Sequence, residues 1–366
     1  MQRIHESDIQ LGQPLPWDCF DQHSLLLLRK GVVVNSKKQV QGLIERGLFI
    51  EQTPEEAPPP SAPSPFHLLE DFQIRLKAIF HGIIYRQGDD LPERVIKLCK
   101  ELQDLCETDS DAVLAMFHTD VEGRYTLTHP LAVAALSELI VKRKGVSPEE
   151  RLPILAASLT ANVAMIDLQE TLQKQETPLT DEQREAIRLH PLQAAELLTE
   201  SGVQDQVWIK TVLHHHEKLD GSGYLGALRG EDIPLSVRIV SLADSYSAMI
   251  APRVYRDQIL AKDALRDIFL KRGVEVDEEL AQLFIKELGV FPPGAFVRLA
   301  NGEIAIVIKR GAAGNCPVVQ SVMGPRGAPL LAPVRRDTTH ENYAIREMVA
   351  RYKGVNIDMH RLWGYK

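Results

Sequence analysis

The run His214-His215-His216-Glu217-Lys218-Leu219-Asp220-Gly221-Ser222-Gly223-Tyr224 constrains this chain more than any other stretch. Adjacent imidazoles beside a carboxylate, followed by an Asp-Gly-Ser-Gly turn, suit metal-dependent chemistry better than core packing. Neutral imidazole is the commonest side-chain metal ligand, and two such rings can clasp one cation. Glycine reaches positive φ at little steric cost, so the turn lets backbone come close to a ligand. The competing reading is a solvated histidine-rich turn, but histidine-rich tracts are themselves hints of metal binding.

These residues resemble the second signature of the HD-GYP family, a branch of the HD metallophosphohydrolase superfamily. The family pattern is two histidines, Glu, two residues, Asp-Gly, any residue, Gly-Tyr-Pro; here Leu225 stands in place of the proline. Gly226 to Arg238 and Ile239 to Arg256 look like the segment that follows it. Thr128-His129 with Leu131 to Ala134 looks like the family's opening helix, and Leu179-Thr180 to His190-Pro191 like the helix that supplies another histidine. Phe291 to Ile308 resembles the small β unit that closes these domains. The likeness runs from about Gly123 to Val322, with several motifs in order. It implies a mainly α fold: an HD-type helical bundle, a small α+β N-terminal module and a short β-hairpin unit at the C-terminus.

The first signature departs from the family. A His-Asp pair is expected inside a His-Asp-Ile-Gly-Lys run. At the family spacing before Leu179-Thr180 this chain has Ala161-Asn162-Val163-Ala164-Met165. The family's aspartate bridges two metal ions; the neutral amide of Asn162 cannot bridge as an anion. Asp167, five residues on, points elsewhere on a helix and reads as a surface or capping residue. By resemblance His190, His215 and His216 belong to one metal position, and His129 and Asp244 to its neighbour. Three histidines can hold a single transition metal with an open position, whereas His129 and Asp244 alone make a poor site. Tyr125 stands where some members carry a glutamate for a third metal. The expectation is one divalent transition metal (iron, manganese or zinc) or none, and Ala161 and Asn162 mark a degenerate catalytic position.

The resemblance also implies ligand-binding residues. Arg253 and Arg256 look like the family's arginines that meet the phosphate or guanine of cyclic di-GMP, for which a planar, permanently charged fork is suited. Gly223 and Tyr224 form the loop through which members contact partner proteins, diguanylate cyclases above all. The leading expectation is a degenerate HD-GYP protein of bacterial cyclic di-GMP signalling that binds nucleotide, partners or both and turns over little. The alternatives are an active phosphodiesterase with an altered metal centre, giving pGpG or GMP, and an interaction module without nucleotide.

Composition sets the outer bounds. The chain has 366 residues, 44% hydrophobic and 25% charged, enough for two or three ordinary globular domains. Its net charge of -8 argues against DNA or RNA binding, which wants a basic face. Four cysteines without a Cys-x-x-Cys suggest no disulfide frame. The start MQRIHESDIQ does not read as a signal peptide, and no apolar run approaches ~18 residues, so a cytoplasmic protein without a membrane span is expected. The expected organisation is a small N-terminal module over 1–52, a proline-rich linker over 53–65, a helical lead-in over 66–122, the bundle over 123–290, and a β unit with tail over 291–366. Ser36 to Gln39 reads as a capping box. Asn301-Gly302 between two apolar runs is a strong hairpin signal.

Overall fold

The computed structural model describes residues 2–3, 9, 12–15, 19–20, 26–36, 38–40, 49–50, 64–119, 124–251, 259–311, 316–351 and 357–365. The chain divides into two compact units, Met1–Ala62 and Pro63–Lys366. In the first, β1 (Gln2–Arg3), β2 (Cys19–Phe20), β3 (Leu26–Leu28) and β4 (Phe49–Ile50) form an antiparallel sheet in the order β1-β4-β2-β3. Ser36 Oγ accepts the Gln39 N–H at 3.3 Å, and Gln39 Oε1 accepts the Asn35 N–H at 3.3 Å, so the helix start expected at Ser36 is present. The proline-rich stretch, up to residue 63, lies outside the described residues.

The second unit is a helical bundle built on Tyr125–Arg143. That helix is buried from Leu131 to Val141 on every face, apolar but for Ser137 and Glu138, and the buried Glu138 pairs with Arg151 at 3.1 Å. Pro148–Thr160, Leu235–Ile250 and Leu91–Thr119 pack against it. Local chemistry sets the starts. Ser147 and Glu150 form a capping box for Pro148–Thr160, and Thr180 and Gln183 form one for Asp181–Glu200. Leu91–Thr119 breaks at Asp109, whose carboxylate accepts the Ala112 N–H at 2.9 Å and so caps a fresh helical start.

Pro148–Leu172 is long and apolar enough, by length and composition, to cross a membrane. Yet 67% of its most apolar window is buried in the protein, and the turn Val163–Met165 interrupts it, so packing inside the bundle accounts for its apolar character.

The hairpin at Asn301-Gly302 is the centre of a larger sheet. Gly302 has φ +88, and Asn301 Oδ1 accepts the Glu303 N–H at 3.0 Å. β5 (Phe296–Leu299), β6 (Ile304–Lys309), β7 (Val318–Met323), β8 (Pro329–Asp337) and β9 (Ile345–Val349) pair antiparallel in the order β8-β7-β6-β5-β9. Side chains alternate across it. Val297, Leu299, Ala305 and Val307 join the bundle core; Phe296, Ile304 and Ile306 face the other way, where Leu362 and Trp363 cover them. Arg310, just after β6, pairs with Asp111 at 2.5 Å and Glu287 at 2.8 Å, fastening the sheet to two helices.

Candidate metal centre

His190 projects from the middle of Asp181–Glu200, and His215 and His216 follow directly on Gln206–His214. One ring nitrogen from each lies within 4.8 Å of the others. Sequence explains the ring orientations. Pro191 has no N–H, so the Ile187 carbonyl four residues back loses its helical partner. The Nδ1–H of His190 donates to that oxygen at 2.6 Å. The Nδ1–H of His215 donates to the Val212 carbonyl at 2.7 Å, in the last helical turn, where carbonyls lack helical donors. Both rings therefore hold their proton on Nδ1.

The two Nε2 atoms face each other at 3.3 Å. With both Nδ1 protonated, both are acceptors and neither can donate. A shared cation is what reconciles facing lone pairs. Their separation matches the ~3.3 Å edge of a tetrahedron with metal–nitrogen bonds of about 2.0–2.1 Å. Burial, reinforced by the neighbouring rings, pushes His190 and His215 down to about 4 and His216 to about 3. Neutral imidazole is the form that binds metal. These three residues fit a single divalent transition metal, which would supply Lewis acidity to a bound oxygen when present.

The glycine turn wraps closely over this cluster. A Cβ at Gly223 would collide with the backbone of His216 to Lys218. Tyr224 is half-buried and stacks on His216, with ring centroids 4.8 Å apart. Glu217 is buried and accepts the Gly226 N–H, pinning the far side of the turn. The sequence reading gave Glu217 no role, although it lies inside the motif.

The neighbouring position looks different. His129 Nε2 donates to Asp244 Oδ1 at 2.9 Å, and its Nδ1 accepts from Ser247 Oγ at 2.9 Å. Both nitrogens are thus engaged within the protein. Burial opposes the charge on Asp244, but the hydrogen bond from His129 holds its carboxyl below the usual carboxylate range. Ser247 was invisible to motif reading; its place one helical turn after Asp244 is the signal that finds it. Ala161 and Asn162 follow Pro148–Thr160 directly, and Asn162 lines the same cavity as His129, His190, His216 and Asp244. That cavity holds about 500 Å³.

The remaining expectations divide. Arg253 and Arg256 lie outside the described residues. Asp167 is exposed, in the first turn of Ile166–Leu172. His118 is buried and hydrogen-bonds the Tyr246 hydroxyl at 2.8 Å. His81 is exposed against Tyr85.

Residues 121–280 match a family described as HD domain. A cyclic di-GMP phosphodiesterase of Pseudomonas aeruginosa is 27% identical over 200 residues, covering 55% of this chain and 48% of its own length. The cyclic di-GMP phosphodiesterase response regulator RpfG of Xanthomonas campestris is 34% identical over 138 residues, covering 37% and 36%. The chain carries an HD-GYP domain. The solved structure of an HDG"Y"P protein from Bdellovibrio bacteriovorus shares the fold, with a TM-score of 0.53 over 78% of this chain and 98% of that one, at 13% identity. The HD-GYP chain spans about half or less of the length of these two curated relatives.

Proposed function

We propose that this HD-GYP chain is a degenerate member of bacterial cyclic di-GMP signalling. It holds one divalent transition metal (iron, manganese or zinc) on His190, His215 and His216, binds nucleotide, partner proteins or both, and hydrolyses little or none. The observation that carries the reading is the contrast between facing lone pairs at His190 and His215 and the closed His129–Asp244–Ser247 set. Phosphodiester hydrolysis by two metals clamps the attacking and leaving oxygens together. At Ala161 and Asn162 this chain offers no anion to bridge such a pair. Arg253 and Arg256 are assigned to the nucleotide, and the Gly223-Tyr224 loop to a signalling partner such as a diguanylate cyclase.

A second reading, an active phosphodiesterase giving pGpG or GMP, draws on one observation. Asp244 and His129, 2.9 Å apart, line the same cavity as His190 and His216, so residues of both family metal positions still share one space. Chromatography of cyclic di-GMP with manganese or ferrous iron separates the two, with the double variant His215→Ala/His216→Ala as control. No product above the control is expected. Turnover that the control abolishes would replace the first reading by the second.

A further inference from the structure

Two side chains in the cavity have work left undone. Asn162 and Gln169 each keep only 7% of their surface exposed, and both line the space in front of the histidines. Neither amide group has a hydrogen-bond partner among the described residues. Gln173, four residues after Gln169 on the same helical face, lines the cavity too. A primary amide carries two donors and one acceptor, and those of Asn162 and Gln169 open onto the cavity they line with their hydrogen-bonding groups unused within the protein. Such groups are kept where a ligand completes them.

Resting on the cyclic di-GMP reading, we propose that Asn162 and Gln169 read the hydrogen-bonding edge of a purine base held beside the three histidines. Apart from the metal, whose own charge would draw a phosphate, the lining favours a base. Among the described residues it contains no lysine or arginine, while Asp244 and Glu176 are acidic. Phosphate recognition uses cationic forks. Amides, by contrast, match the paired donor and acceptor of a purine edge. Tyr224 and Met165 supply the flat and apolar contacts that base faces take. In this reading the change from carboxylate to amide at Asn162 converts a metal-bridging position into a base-reading one: nearly the same shape, with a donor in place of a charge.

Calorimetry on the full, manganese-loaded chain tests this with cyclic di-GMP, GMP and ribose 5-phosphate. GMP is expected to bind about tenfold or more tighter than ribose 5-phosphate, because only GMP carries a base edge. Gln169→Leu and Asn162→Leu, each checked for unchanged metal content and melting, should erase that preference and weaken cyclic di-GMP by a similar factor. Equal binding of GMP and ribose 5-phosphate by the unaltered chain, with cyclic di-GMP still bound, would overturn the base-reading role and leave the signalling reading standing. The same holds if both variants keep the preference. Failure of all three ligands to bind would overturn the base-reading role and the nucleotide arm of the proposed function, leaving only its partner-protein arm. The unaltered-chain comparison does not depend on any variant folding.

Discussion

His190 and His129 each precede a proline inside a helix, yet their rings end in different states. At His190 the carbonyl freed by Pro191 takes the Nδ1 proton, and Nε2 is left pointing at a like neighbour. At His129 the ring turns to Asp244 and Ser247, and both nitrogens are spoken for. The first arrangement is unsatisfied by itself and completed by a cation. The second is already complete. When the His-Asp partners of a metal position are lost, the ligands left behind gain by bonding one another, since a buried polar group without a partner is unfavourable.

The largest expected effect breaks the first half. His215→Ala/His216→Ala should lower bound metal from about one equivalent to less than about a tenth by equilibrium dialysis with metal analysis, because one remaining imidazole cannot compete with water. His129→Ala should leave it near one. Equal losses in both would erase the distinction.

Next in size is a repair of the second half. Ala161→His/Asn162→Asp should raise manganese uptake from about one equivalent towards two, since it returns an anionic bridge. A stoichiometry fixed at one would show that the His129–Asp244–Ser247 set has closed for further reasons.

Pro191→Ala should act more gently. It supplies a backbone N–H that competes with His190 for the Ile187 carbonyl. Metal affinity should fall about 10–100-fold, as when an orienting partner is removed, while melting of the metal-free chain stays level or rises. An unchanged affinity would detach the proline from the ring orientation.

A separate effect is on stability against pH in the metal-free chain. His190 and His215 lie at about 4 and His216 at about 3 when folded, against about 6.5 when unfolded. Between those values the unfolded chain binds more protons, so stability falls as pH drops from about 6.5 towards 4, by at most ~1.4 kcal/mol per pH unit for each proton. Denaturant titrations across that window measure it; a flat profile would mean the rings are not held neutral by burial.

Much of this was legible in the chain. The doubled histidine with its glycine turn, and the histidine before Pro191, announced one cluster because each lies in a local motif. The turn residues Asn301-Gly302 announced a hairpin for the same reason. What stayed hidden depends on distant pairing. β9 returns to β5 from the far end of the domain, with Phe296 opposite Val349, and no local pattern encodes that register. Asn162 was legible as a lost carboxylate. That Gln169 shares its cavity depends on how the Val163–Met165 turn redirects the chain.

The sheet at the C-terminus has one further consequence. Its inner face belongs to the bundle core, and Arg310 binds carboxylates on two helices. Gly294 sits so close to Ala115 and His118 that any side chain there would intrude. Such a join leaves no clean seam. Genetic shuffling that exchanged the strands alone would hand the new tail a helical wall shaped for the old one, so the two are expected to be inherited as a single piece.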